Sequence, residues 1–213
     1  MPTTLSTLRA AVRRDLHDED ATSYRWTDAV LDRHLERAVR EFSLALPREA
    51  TATLTTTAGS RDLSLAALTD LMAVEAVEYP VGQYPRSYVR FAVWGSTLTL
   101  LLDSAPAGAE NVAVYYGKLH TLDAASSTLP VHLEEVVATG AAAYAALEWA
   151  SFATNRVNVG GADVWRQYLV WGQERLAAFA RSLARYGRKH AVRARRLYRP
   201  AMPGASRTTD WGP

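Results

Sequence analysis

Between Leu119 and Glu135 the chain reads Leu-His-Thr-Leu-Asp-Ala-Ala-Ser-Ser-Thr-Leu-Pro-Val-His-Leu-Glu-Glu, and this seam constrains the fold more than any other stretch. Before it the apolar residues alternate, as in a half-buried strand; after it comes a long run rich in Ala that reads as a helix. Helical periodicity also opens the chain. The order helix, strand, helix predicts an α+β protein whose helical body is interrupted by a β insert.

The N-terminal periodicity is plain. Leu5, Leu8, Val12 and Leu16 recur every three or four residues and predict a helix from about Thr4 to His17. The polar run Asp18 to Ser23 ends it. Thr27 is a suitable N-cap for a second helix, whose stripe Leu31, Leu35, Ala38, Phe42 and Ala45 runs to the helix-stopping Pro47. An αα-hairpin over 1–49 follows.

Over 50–120 the period falls to two. Thr51, Thr53, Thr55 and Thr57 alternate with smaller or apolar residues, and the runs Tyr88–Trp94 and Thr97–Leu102 flank Gly95-Ser96. A two-residue loop that begins with Gly suits a type II′ hairpin, because Gly takes positive φ at little cost. With Asn111–Tyr116, these runs predict one small antiparallel sheet of four to six strands. Leu71–Tyr79, which carries Glu75 and Glu78, reads equally as an edge strand or a loop. Tyr84, Tyr88, Phe91 and Trp94 are expected in the core or at the edge of the sheet rather than on a base-stacking platform.

Two long helices are predicted over 121–186. Pro130 suits a first helical turn, and Glu134 and Glu135 suit the positive end of the helix that runs to about Ala153. Ala138, Gly140, Ala141, Ala142, Ala143, Ala145 and Ala146 leave little side-chain bulk, so a neighbouring helix can approach closely. A fourth helix is expected from about Asp163. Trp165, Leu169, Gly172, Leu176, Phe179, Leu183 and Tyr186 form its heptad-like seam, and ordinary bundle packing is the simpler reading of so short a run. The expected body is therefore four-helix bundle-like, with a basic arm over 187–213.

Charge is divided along the chain. The formal net charge is +2, yet the residues beyond 180 hold nine cations against Asp210 alone, and the first 180 residues carry net −6. Such asymmetry points to an arm that meets nucleic acid or an acidic protein surface. Nearly all the cations are Arg, which pairs bidentately with carboxylate or phosphate. Candidate contact residues on this arm are Arg188, Arg193, Arg195, Arg196 and Arg199, with Leu197, Tyr198 and Trp211 as anchors among the charges. Such a segment is expected to order on binding.

Several function classes find little support. With no Cys, the chain can build neither a disulfide framework nor a thiolate metal site. No signal-peptide pattern opens it, and no run approaches the roughly 18 apolar residues of a membrane span. His120, Asp123, His132 and Glu135 cluster in sequence but lack a third ligand at a recognisable spacing, so local structural roles are expected. Ser126 and Ser127 lack a nucleophile-elbow context, and Gly160-Gly161 lacks the Lys of a phosphate loop.

The order of motifs resembles the adaptor, or head-to-tail connector, proteins of tailed bacteriophages. The matching features are Tyr24-Arg-Trp-Thr-Asp-Ala-Val-Leu-Asp, Trp94-Gly-Ser-Thr-Leu-Thr-Leu, Val112-Ala-Val-Tyr-Tyr leading into Leu119-His-Thr-Leu-Asp, and Ser127-Thr-Leu-Pro before the Ala-rich helix. The resemblance implies a structural virion protein with neither catalysis nor cofactor. It also implies a homo-oligomeric ring, dodecameric, at the head-tail junction beneath the portal protein. A downstream tail or stopper protein would follow it, and genomic DNA would pass through the channel without sequence-specific contact. Synthesis in the host cytoplasm is implied, and no membrane is involved. The alternative from composition is a nucleic-acid-binding module that grips phosphates with its basic C-terminal helix, with salt-dependent affinity.

Overall fold

The computed structural model describes residues 3–153 and 163–198, with side chains through Gly187. Four helices and six strands follow in the order α1 (Leu5–Asp15), α2 (Asp28–Ala45), β1 (Arg48–Thr55), β2 (Asp62–Ser64), β3 (Leu71–Glu78), β4 (Phe91–Trp94), β5 (Thr97–Leu100), β6 (Asn111–Lys118), α3 (Glu134–Ala153) and α4 (Val164–Tyr198). The class is α+β. Two compact units result: Met1–Arg48 with Leu119–Gly187, and Glu49–Lys118 with the chain from Arg188.

In the helical unit the expected caps are in place. Thr4 closes a capping box with Thr7 at the start of α1, and the Thr27 hydroxyl accepts from the Val30 N–H at the start of α2. The chain enters α3 through Pro130 and a 3-10 turn, Val131–Leu133, and Glu134 and Glu135 occupy the first α-helical turn. The core draws on all four helices. Leu8 and Val12 of α1, Leu31, Leu35 and Phe42 of α2, the alanines of α3 and Phe179 of α4 are buried together.

Small residues set the spacing of α3 and α4. A Cβ on Gly140 would stand 2.9 Å from Phe179 Cζ, and one on Gly172 would stand 2.9 Å from Leu147 Cγ and 3.3 Å from the Ala143 carbonyl oxygen. Of the α4 seam, Gly172 and Phe179 are buried, and Leu176, Leu183 and Tyr186 pack partly against the same core. The Val131–Ala153 stretch departs from the sequence reading, being long and apolar enough to cross a membrane. Its small residues are instead buried in the protein core.

α4 also departs from expectation by continuing to Tyr198, past Tyr186 where its apolar seam ends. The Ala, Arg, Lys and Leu of this stretch are strong helix formers, so backbone propensity extends the helix where packing side chains run out.

The β unit contains two three-stranded sheets, ordered β1-β6-β3 and β2-β5-β4, where the sequence suggested one. The turn after β1 explains the split. Gly59 takes φ +74°, the chain reverses, and the short β2 pairs with β5 from Asp62↔Thr99 to Ser64↔Thr97. The apolar faces of both sheets enclose one core, formed by Leu63, Leu65, Val77, Leu98, Leu100, Val112, Val114 and Tyr116. Gly95 has φ +57° while Ser96 does not take positive φ, as a type II′ turn requires, and Trp94 pairs with Thr97 across it. The ambiguous Leu71–Tyr79 segment supplies β3, an edge strand antiparallel to β6.

Candidate functional site

The first matching motif, Tyr24 to Asp32, folds into a polar lock between α1 and α2. Arg13 lies in the last turn of α1 and is buried, 5% exposed. Its Nη1 donates to Asp18 Oδ2 at 2.6 Å, and its Nη2 donates to the Trp26 carbonyl at 2.9 Å and to Asp28 Oδ1 at 2.7 Å. The guanidinium carbon sits 3.5 Å from the centroid of the Tyr24 ring. Asp18, itself 7% exposed, also accepts from the Arg25 backbone N–H at 2.7 Å. The buried charges of Arg13 and Asp18 thus each meet partners of opposite character, which is the condition for burying them.

Arg9, one helical turn earlier, extends the lock. It grips Asp32 bidentately at 2.8 and 2.7 Å and reaches Asp28 at 2.7 Å. The Asp32 hydrogen bond, with the nearby carboxylates, raises the Arg9 pKa further above its ordinary value. The Arg13 hydrogen bond, supported by both cations, holds the Asp28 carboxyl below the usual range. Trp26 fixes the loop to α3 by donating from Nε1 to the Ala145 carbonyl at 3.2 Å.

A second polar seam joins α2 and α3. Arg33 donates to Glu148 at 2.6 and 2.5 Å. The buried His34 has its Nε2 2.5 Å from Glu148 Oε2 but out of hydrogen-bond alignment. His34 stacks on Tyr144, whose hydroxyl donates to Glu41 at 2.5 Å. Burial, opposed by Glu148, lowers the His34 pKa. Burial, with the Glu41 hydrogen bond, raises that of Tyr144.

The histidines and carboxylates near the seam do not converge on one point. His120 places Nδ1 2.9 Å from the Thr128 carbonyl and Nε2 3.2 Å from the Leu46 carbonyl, while its backbone N–H donates to Ser43 Oγ. Asp123 accepts from the Ala125 and Ser126 backbone N–H groups, which lower its pKa. These bonds shape the approach to α3. Among the described residues no three His, Asp or Glu side chains are grouped to hold a metal.

The β unit carries two strongly exposed aromatic rings. Trp94, at the β4–β5 turn, is 90% exposed, and Tyr84, in the β3–β4 connection, is fully exposed. Both were expected in the sheet core or at its edge; Trp94 is on the edge strand β4, whereas Tyr84 lies outside the sheet. The hairpin ends at Trp94 and the Pro80–Ser87 loop lies beyond the last paired residues of β3, so neither ring reaches the core. Below that loop the buried Glu78 accepts from Tyr115 Oη at 2.6 Å and from the Gly82 N–H at 3.3 Å, and Arg86 donates to Tyr115 Oη at 2.7 Å. Burial and Glu78 push the Tyr115 pKa up to about 12. A loop anchored in this way presents its exposed ring on a defined support.

The predicted contact residues of the arm fall at the end of the description. Arg188, Arg193, Arg195, Arg196, Leu197 and Tyr198 stand on the last helical turns of α4. Arg199 and Trp211 lie outside the described residues.

Comparison with known proteins supplies the family. The SU10 adaptor protein family matches over residues 3–204, and the chain belongs to it. This is the bacteriophage head-tail connector class that the motif order resembles. No curated protein matches the chain. Among solved structures it is similar to a chain from the neck of an empty GTA particle computed with C6 symmetry, at 15% identity and TM-score 0.30, covering 80% of this chain and 88% of that one. It is likewise similar to a chain from the neck of a native GTA particle computed with C12 symmetry, at 16% identity and TM-score 0.29, covering 80% and 93%.

Proposed function

We propose that the protein forms a homo-oligomeric ring beneath the portal of a tailed phage, joins capsid to tail at the head-tail junction, and continues the DNA channel. The observation that carries this reading is the family match across almost the whole chain. Three features fit it. Helix packing and buried ion pairs give a stiff helical unit, the β unit offers exposed aromatic rings for assembly, and a basic segment of +8 beyond residue 180 contrasts with a body of −6. A role in assembly needs no turnover chemistry, and we assign none.

In this reading Arg188, Arg193, Arg195, Arg196, Leu197, Tyr198, Arg199 and Trp211 contact the portal or an adjacent subunit, by charge-assisted bonds from Arg and burial of the three anchors. Ring formation is tested by mass measurement and electron microscopy of the purified chain with and without the portal protein; only monomers in both samples would refute it. For the arm, the chain truncated after Tyr186 and a Leu197/Tyr198/Trp211 triple-Ala variant are compared in portal docking and in DNA retention at two salt concentrations. Loss of docking supports the connector arm. Normal docking with lost DNA retention would favour the nucleic-acid-binding module that the Arg-rich end of α4 suggests.

A further inference from the structure

Arg25 is the one residue of the Tyr24–Asp32 motif whose charge the lock does not use, and its surroundings have the form of a ligand site. The ring of Trp26 comes from the loop that leads into α2, Trp149 from α3 and Tyr168 from α4. Their centroids are 5.8, 6.0 and 6.5 Å apart, and their planes are inclined at 62°, 71° and 71°. Three mutually edge-on rings make a corner whose faces converge. The Arg25 guanidinium carbon occupies it, 5.7 Å from the Trp26 centroid, 4.9 Å from Trp149 and 5.3 Å from Tyr168. Nη1 donates to the Tyr168 hydroxyl.

Two properties separate this corner from an ordinary structural contact. Arg25 is an exposed residue, and among the described residues it makes no ion pair, so its cation is held by π faces and a phenol instead of a carboxylate. Such contacts are weak at exposed sites. The Trp149 indole N–H is buried with no acceptor among the described residues, so this wall lacks the bond that fixes Trp26 to Ala145. Phe152, 5.4 Å from Trp149 and 48% exposed, adds an apolar rim.

We propose that Trp26, Trp149 and Tyr168 form a cation-binding cage, occupied by the chain's own Arg25, which accepts an arginine side chain of a partner protein in exchange. Arginine fits the site better than lysine. A planar guanidinium can lie against the rings while one N–H reaches the Tyr168 hydroxyl, whereas an ammonium is a compact and strongly hydrated charge. Arg25, tethered next to the cage, keeps small cations out by its high local concentration. A partner that makes further contacts at the Phe152 rim offsets that advantage. The inference stands on this geometry and is independent of the ring reading.

The test removes the resident cation. The full-length Arg25→Ala and Arg25→Met variants, each checked for folding by circular dichroism, are titrated at constant ionic strength with N-acetylarginine methylamide and with its lysine counterpart. Trp fluorescence and the melting midpoint are read. The proposal expects a saturable fluorescence change and a midpoint raised by a few degrees with the arginine probe in both variants, a weaker response to lysine, none in the wild type, and none once Tyr168→Leu is added. Absence of a saturable response in both folded variants would overturn it, as would a response that survives Tyr168→Leu. An equal response in the wild type would show that Arg25 is not the occupant.

Discussion

Replacing Arg13 by Met tests whether the α1–α2 lock holds the motif loop. Met keeps much of the side-chain length and removes the charge, leaving the Asp18 carboxylate buried with its two backbone donors but no cation. The side chains of Arg13 and Asp18 are 7% and 6% exposed, so solvent does little to screen the loss. Breaking such a pair on one side costs about 3–5 kcal/mol. The Asp28 contact adds little, because that carboxylate is 56% exposed. Against a total stability of about 5–15 kcal/mol, the loss is large, and for a chain of this size it corresponds to a fall in melting temperature of roughly 6–20 °C. Denaturant unfolding of Arg13→Met, Asp18→Asn and the double variant measures it. Asp18→Asn removes the orphaned charge while its side-chain oxygen still accepts from Arg25 N–H, so the double variant should be more stable than Arg13→Met. A cost below about 1 kcal/mol for Arg13→Met, or strictly additive single changes, would refute the lock.

Ala142→Leu and Ala146→Leu, at fully buried positions of α3, should each cost about 1–3 kcal/mol by overpacking; unchanged melting of both would mean that this face is not in the core. Gly140→Val should also lower the melting point, since its Cβ would meet the buried Phe179 ring at 2.9 Å. Burial lowers the pKa of both His34 and His120, so each enters the fold neutral; their stabilisation is complete above the ordinary histidine pKa of 6.5 and is lost as the pH falls from there through the folded-state values. Urea midpoints measured downward from pH 7 should show this loss, and His34→Gln with His120→Gln should flatten it. Trp94→Ser and Tyr84→Ser should leave stability within about 0.5 kcal/mol, because both rings are exposed, yet reduce ring assembly; full assembly would remove these rings from the proposed interface.

Much of the helical unit was legible from periodicity and caps, because one stripe per helix faces one core. Leu8 and Val12, and Leu31, Leu35 and Phe42, were named from spacing, the α3 alanines from their small bulk, and all are buried. The lock was not legible. Arg13 and Asp18 look like surface residues in sequence, and only tertiary proximity to Trp26 and Asp28 makes them a buried pair. The division of the strands into two sheets was hidden for a related reason. Period-two alternation reveals which face of a strand is buried but says nothing about its neighbour, and β2 pairs with β5 because the turn between β1 and β2, where Gly59 takes positive φ, carries the chain away from β1. The cage was beyond sequence reasoning because its three rings come from a loop and two separate helices, far apart in the chain. The only hint was the spacing of Arg25 and Trp26 within the motif.

Arg13 of α1 and Arg25 of the Tyr24–Asp32 motif show two uses of arginine around one loop. Arg13 is buried against carboxylates and backbone oxygens, where the cost of desolvation is offset only if every donor is placed, so a pair of this kind is a poor source of net stability. What it supplies is position: the loop can bury Arg13 in one arrangement only, with Asp18 on one side, Asp28 on the other and Tyr24 across its face. That arrangement sets Trp26 into the core and Arg25 outside it. Arg25 then meets rings and a hydroxyl instead of carboxylates, in a site where a cation binds weakly and can leave. The buried arginine therefore fixes the geometry from which the exchangeable one is presented, and disturbing Arg13 should disrupt the cage as well, whereas removing Arg25 should leave the lock intact.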